Sequence, residues 1–361
     1  MINNGIMKTL ITKKRQEKGL KIYELANKVG VDPSLMSRII AGQRRPTKHQ
    51  LRKIADTLDI DYQELLTGYL SQEIYTILKP YPQLADKVME VTEERITYLS
   101  GNEKLNIISL SSTVKELLSK ASELQRKWQS KKPLNTVQLK KMDEHFHTAF
   151  THESNRIEGN TLTLSETHMI VNEGITIGGK SMREHLEVIN HKEAIDLIHD
   201  FVKNKVQLNS FYLKQIHQLV LKGIDKQNAG VYRSVPVRIS GSAHVPPEPY
   251  RIEKMMEDYF LFYEMHKNEI HPVILAAEMH ERLVSIHPFI DGNGRTSRLV
   301  MNLILLQNGY TLVNLKGDLD KKIKYFKALE NVQVNHDNES FHALIIEHAI
   351  ESLEEHIHLA G

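Results

Sequence analysis

The chain has 361 residues and no cysteine, with 47 Lys and Arg against 45 Asp and Glu for a formal net charge of +2. Disulfides, thiolate metal sites and a cysteine nucleophile are therefore excluded, and no apolar run approaches the roughly 20 residues that a membrane-spanning helix needs. The start, MINNGIMKTLITKKRQEKG, lacks the apolar core of a signal peptide, so the expectation is a cytoplasmic protein with no membrane partner and, at this length, two or more domains.

The small total hides an imbalance. Residues 1–70 carry 13 basic and 7 acidic side chains, a net of +6, and the remainder has a net of −4. A basic N-terminal segment suits an anionic partner. From Leu10 to Leu66, helical periods broken at Gly19, Gly30, Asp32-Pro33 and Gly42 predict several small helices with tight turns. Leu25, Ala26 and Val29, then Val31, Met36 and Ile39, then Leu51, Ile54, Ala55 and Leu58 have the spacings of one shared core. Small residues at Ala26 and Gly30 let two helices cross closely, and Asp32-Pro33 starts the second, which fits a helix-turn-helix. The text LANKVGVDPSLMSRIIAGQRRPT resembles the helix-turn-helix of the phage-repressor (Cro/C1, XRE) family over about residues 8 to 68, departing where the family often has Thr-Gln and this chain has Ile22-Tyr23. That resemblance implies DNA binding, with Ser34, Ser37 and Arg38 presented to base edges and Gln43, Arg44, Arg45 and Lys48 reaching phosphates. It also implies a homodimer, since such domains often work in pairs on half-sites.

Ser71 to Trp128 reads as helical and amphipathic with no chemistry of its own, a connector over residues 71–134 bounded by the turn-prone KKPLN at Lys131 to Asn135. Further helices are predicted over Thr136 to Phe150, Ser165 to Glu173, Ser181 to Lys203, Ser210 to Leu221 and Arg251 to His266. The exception is AGVYRSVPVRISGSAHVPPEP, Ala229 to Pro249, where Val231, Val235, Val237 and Ile239 followed by Gly241-Ser242 predict one small β-hairpin in an otherwise all-α protein. Pro236 suits an edge. Nineteen histidines invite a metal reading, but no HExxH or comparable ligand spacing occurs.

The chemistry concentrates in HPFIDGNGRTSR, His287 to Arg298. An apolar helix predicted over Pro272 to Ile286 ends at His287-Pro288, and a second, Arg298 to Leu306, follows the glycines. Gly292 and Gly294 allow backbone angles that point successive amides at one anion, and the following helix adds free N–H groups and partial positive charge. Such a cradle favours phosphate. Arg295 and Arg298, three apart, offer guanidinium forks to phosphate oxygens. Asp291 is placed to hold Mg2+, the usual companion of a triphosphate, and His287 is a candidate general base.

These twelve residues match the Fic family signature H-x-F-x-[DE]-G-N-G-R-x-x-R at every fixed position, and the resemblance extends over roughly Asn135 to Glu347. It implies a mostly helical domain, here residues 135–361, that transfers AMP from ATP to a protein hydroxyl. His287 would deprotonate a Ser, Thr or Tyr of the target and Asp291 would bind Mg2+. The Gly292-Asn293-Gly294 turn would hold the α- and β-phosphates, Arg295 and Arg298 the outer ones, with Thr296 among the nucleotide-binding residues. The hairpin corresponds to the family's target-docking flap, in which Val235, Val237 and Ile239 line nucleotide or pair with the target's backbone. Tyr325, in KYFKALE, lies where the family often has paired aromatics near the adenine, with a core aromatic as the alternative. A second family pattern, [ST]-x-x-x-E-[GN], is met by Ser154, Glu158 and Gly159 in SNRIEGN, near an expected inhibitory helix at 151–160. In that arrangement the glutamate pairs with the second arginine, here Arg298, which then cannot clamp the γ-phosphate. The resemblance leaves two alternatives beside an autoinhibited transferase: a DNA-binding regulator whose Fic domain only senses nucleotide, and an enzyme that also removes AMP.

Overall fold

In a computed structural model the described residues are 6–41, 43–89, 92, 110–239 and 241–361, without the side chains of Ile6 and Lys48. The chain divides into two compact units, Met1–Ile108 and Ser109–Gly361. Among the described residues every regular element is a helix, as the patterning predicts, and no helix is long and apolar enough to cross a membrane.

In the first unit α1 (Ile6–Glu17), α2 (Ile22–Val29), α3 (Pro33–Ile40), α4 (Lys48–Leu58) and α5 (Tyr62–Leu78) enclose one core. Leu25, Met36, Ile39, Leu51, Ile54 and Leu58 are fully buried there, as their spacing predicts. Gly30 closes α2 with φ +81°, a left-handed angle that favours glycine. Asp32 opens α3 by accepting from the N–H groups of Ser34 (2.8 Å) and Leu35 (3.3 Å). At Ile22-Tyr23 the start of α2 is instead secured by the Glu24 carboxylate, which accepts from the Lys21 N–H at 2.7 Å.

The second unit begins with α6 (Ser112–Ser130), whose Val114, Leu118, Ala121 and Trp128 are buried at helical spacing. The expected connector lies partly here, on a helix packed along α15 (Glu339–Leu359); its stretch 93–109 falls outside the described residues. Next come α7 (Thr136–Ile157), α8 (Leu164–Glu173), α9 (Met182–Lys203) and α10 (Ser210–Val220), then α11 (Ile252–His266), α12 (Pro272–Ile286), α13 (Asn293–Gln307) and α14 (Leu319–Asn335). The helices α12 and α13 lie against each other at the centre, and α13 is buried at nearly every position from Asn293 to Leu305. From Leu299 to Leu305 every position but Asn302 is apolar, which suits an internal helix; the polar residues are concentrated on its first turns. Around the pair, α9 and α10 pack on α13, while α11 and α15 pack on α12.

Two expectations change. The helix predicted to stop at Phe150 continues to Ile157 and so carries Ser154 on its last turns. The hairpin does not form: residues 231–239 and 241–248 are extended or turn backbone with no strand assigned. Val235 falls on a bend and Val237 and Ile239 on irregular backbone; Pro236, Pro246 and Pro247 remove the N–H groups that a two-stranded ladder requires.

Candidate active site

The two central helices meet at the His287–Gly292 corner. His287 closes α12 in a left-handed conformation, φ +50° and ψ +56°, with its N–H on the Leu283 carbonyl. Its Nδ1 lies 3.2 Å from the Val284 carbonyl; a carbonyl only accepts, so Nδ1 carries the proton and Nε2 keeps its lone pair. Burial lowers the pKa of this imidazole, outweighing the Val284 contact that raises it. The ring is thus neutral at pH 7, the state a proton acceptor needs.

The following helix starts five residues earlier than the apolar pattern predicts, at Asn293 rather than Arg298. Gly292 is its cap, with φ +77°, and no side chain caps it. Gly294 is helical; it must be small because a Cβ there would collide with Glu158 Oε1 and lie 3.1 Å from Arg298 Nη1. The Asn293 side chain staples the corner, accepting from the Phe289 N–H at 3.0 Å and donating to the Phe289 carbonyl at 2.9 Å.

Both arginines are buried, at 2% and 1% exposure. Arg295 lies 3.3 Å from Asp291 Oδ1 and 3.4 Å from Glu187 Oε1, and its Nε has no hydrogen-bond partner among the described residues. The same holds for Thr296 Oγ1, which is fully buried on the first turn. Arg298 is occupied. Its Nε donates to Ser154 Oγ at 2.9 Å, and Nη2 donates to the Ser154 carbonyl at 2.9 Å and to Glu158 Oε1 at 2.6 Å. Burial pushes the Glu158 carboxyl upward, but Arg298 and then Arg295 overcome it and hold the group below the usual carboxylate range. Ser154, Glu158, Gly294 and Arg298 are therefore brought together at the open end of α13. Gly159, with φ +100°, turns the chain directly after the glutamate.

Asp291 is half exposed and accepts from Gly292 N–H at 2.6 Å and from Arg183 Nη2 at 2.7 Å. The Arg295 guanidinium and these donors outweigh burial and lower its pKa. Among the described residues no three His, Asp or Glu converge as a metal cage. One hard carboxylate beside an anion cradle instead fits a Mg2+ that keeps most of its ligands from water and phosphate.

Tyr325 is a core residue at 3% exposure, its hydroxyl 3.1 Å from His280 Nε2 and its ring beside Phe341. It therefore offers no open face to a base; the exposed aromatic of the pair is Phe326. Val235 is exposed, and Val237 and Ile239 are half-buried.

Sequence reasoning missed four residues. His217 stacks on Phe289 with centroids 3.6 Å apart. Its Nδ1 accepts from the Gly230 N–H at 2.9 Å, so Nε2 donates to the Asp291 carbonyl at 2.8 Å. Arg233 ties the segment after Val231 to the His287–Gly292 corner, and Arg183 and Glu187 brace Asp291 and Arg295 from α9. Only the i, i+4 spacing of Arg183 and Glu187 leaves any trace in the sequence.

In the first unit Ser34, Ser37, Arg38, Gln43, Arg44 and Arg45 are all exposed. Arg45 pairs with Glu73 at 2.8 Å, and the side chain of Lys48 lies outside the described residues.

An all-α domain built on an uncapped helix end, with two buried arginines and a carboxylate seated on one of them, is what this geometry defines. Residues 207–305 match the Fic/DOC family, and residues 11–65 match a helix-turn-helix family. The protein adenylyltransferase Fic of Nematostella vectensis is 36% identical over 223 residues, 61% of this chain and 51% of that protein. Its counterpart in Drosophila persimilis is 37% identical over 176 residues, 48% and 34% of the two chains. The chain thus spans 34% to 51% of the length of these curated relatives. A Fic-domain-containing signalling protein from Bacteroides thetaiotaomicron superposes with a TM-score of 0.62 at 28% identity, over 67% of this chain and 97% of that one. Fic-1 from C. elegans superposes with a TM-score of 0.63 at 23% identity, over 97% and 98%, a likeness of fold. The chain carries a Fic domain and, ahead of it, a helix-turn-helix domain.

Proposed function

We propose that the C-terminal unit transfers AMP from Mg-ATP to a Ser, Thr or Tyr hydroxyl of a protein, and that Glu158 restrains it. The observation that carries this reading is the double use of one place: the Glu158 carboxylate sits against Gly294 and on Arg298, where the helix end and its arginines would otherwise receive phosphate. The relatives named protein adenylyltransferase Fic support the chemistry.

In this reading His287 Nε2 accepts the proton of the target hydroxyl. The hydroxyl oxygen bonds to the α-phosphorus as the bridging bond to the β-phosphate breaks and pyrophosphate leaves. The free amides of α13 and the forks of Arg295 and Arg298 carry the phosphate charge, so catalysis is mainly positioning and neutralisation. Asp291 would hold Mg2+, which when bound neutralises the departing phosphates. Arg183 competes for that carboxylate until it does. With Glu158 on Arg298, a γ-phosphate meets an occupied fork and a like charge.

Exposed Ser34, Ser37, Arg38 and Arg44 on and after α3 support DNA binding by the first unit. The transferase reading is tested by incubating the Glu158→Gly protein with α-labelled ATP. Protein-bound label well above wild type is expected; equal incorporation refutes the restraint, and no label in either protein refutes transfer.

A further inference from the structure

We infer that Arg233 is the positioning residue of the catalytic corner: its single guanidinium holds His287 in place and fixes both arms of the 233–247 segment as a rigid edge for the target. The inference rests on the transferase reading for its catalytic half.

Arg233 is 4% exposed, and its hydrogen bonds all go to main-chain carbonyls. Its Nε donates to the His287 carbonyl at 2.8 Å, Nη1 to the Val235 carbonyl at 3.0 Å and Nη2 to the Pro247 carbonyl at 2.6 Å. Its own N–H donates to the Pro288 carbonyl at 2.9 Å. Three carbonyls from three stretches of chain are thereby gathered on one guanidinium, whose fork and donors suit such a junction. The Glu248 carboxylate offsets part of the charge, but the hydrogen bonds of this buried cation go to carbonyls alone, so the three stretches cannot drift apart without leaving its donors unpaired.

Both things it holds need holding. A non-glycine residue at φ +50° persists only where its surroundings over-determine it. The Arg233 bonds fix the peptide that leaves His287, while the Leu283 and Val284 carbonyls fix the peptide that enters and the ring. Among its described residues the 233–247 segment, for its part, has no ladder between its arms. Beyond Arg233, the described bonds that seat it are those of His244 Nε2 to the Ser285 carbonyl at 2.9 Å and of the Ala243 N–H to Glu330 at 3.5 Å. One residue therefore sets the distance between the proton acceptor and the edge along which a target backbone would lie.

The test places Arg233→Gln and Arg233→Lys in the Glu158→Gly protein, with AMPPNP affinity, labelled self-modification across pH, and amide exchange as readouts. Displacement of a base by an ångström costs on the order of 10- to 100-fold, and both variants should lose that much rate with AMPPNP affinity unchanged. The groups facing His287 are Arg233 and His244 from the segment, the Val284 carbonyl from its own helix and, in the parent chain only, Glu158 just after α7. Losing the Arg233 charge in the Gln variant should move the acid limb of the rate profile to higher pH, whereas the Lys variant, slow but still charged, should leave it in place. Amides of residues 231–247 should exchange faster in the Gln variant while the interior of α12 does not. Rates within about twofold of the parent, or AMPPNP affinity falling in step with rate, overturn the proposal. Should the Glu158→Gly protein incorporate no label, the transferase reading falls, and exchange alone decides: unchanged protection over 231–247 overturns the role of Arg233, and selective loss of it upholds the role.

Discussion

Two helices in this chain begin where DNA or phosphate would be met, and they begin differently. The start of α3 is closed by its own Asp32, which takes up the N–H groups of Ser34 and Leu35. The start of α13 is left open by Gly292, which has no side chain to cap it. A closed end is a structural joint, and its positive field is already spent on a carboxylate of the same turn. An open end in the interior is costly unless something else supplies the anion. Here the nearby anion is Glu158, which follows α7 and sits on Arg298 beside Gly294 without capping the helix. In the proposed reading that carboxylate is exchanged for phosphate, and an end left uncapped is what permits the exchange.

This contrast can be broken most sharply at the open end. His287→Ala in the Glu158→Gly protein is expected to lower AMP incorporation by about 10²- to 10⁴-fold while leaving ATP affinity nearly intact; isothermal titration and labelled incorporation read the two separately. Gly292→Ala should reduce incorporation on the order of tenfold or more and weaken ATP together with it, because the alanine must adopt φ +77° with its Cβ 3.1 Å from Val220 and 3.3 Å from His217. Next in size is pH. Since burial lowers the His287 pKa, the acid limb of incorporation should lie below that of an ordinary imidazole; an acid limb at or above the ordinary imidazole value contradicts the assignment. The smallest effect belongs to the closed end. Asp32→Ala should lower the melting temperature of the first unit by a few degrees and leave AMP incorporation unchanged; a change in incorporation would erase the distinction between the two ends.

The sequence carried the core of the helix-turn-helix because periodic burial leaves a periodic text: Leu25, Met36, Ile39, Leu51, Ile54 and Leu58 are all shielded as their spacing requires. It carried the His287–Arg298 corner because the chemistry there is contiguous. The juxtaposition of Glu158 with Arg298, 140 residues apart, came from a motif and not from any local rule. What stayed hidden shares one physical trait. Arg233 and His217 work through backbone carbonyls and amides, which every residue possesses, so their partners leave no letter to read. Arg183 and Glu187 have the spacing of an ordinary helix-surface pair, and only the packing of α9 on α13 brings them to Asp291 and Arg295. The segment from Val231 to Ile239 misled in the opposite way: alternation offers a strand-like pattern and says nothing of whether a second strand pairs with it.

The glutamate paired with Arg298 stands on a stretch pinned on both sides. One turn before it, Ser154 is bound to Arg298 through both its hydroxyl and its carbonyl, and two residues after it, the Asn160 side chain donates to the Glu184 carbonyl at 3.1 Å and to Glu187 at 3.0 Å. With the main chain anchored fore and aft, the shortest way off the arginine is rotation of the Glu158 side chain, a third of which already faces solvent. Such torsions relax in picoseconds to nanoseconds, against microseconds or longer for the shift of a helix. In the proposed reading the restraint is a latch of one side chain, and whatever holds it open need bias only a few dihedral angles while Arg298, still bound by Ser154, stays in place behind it.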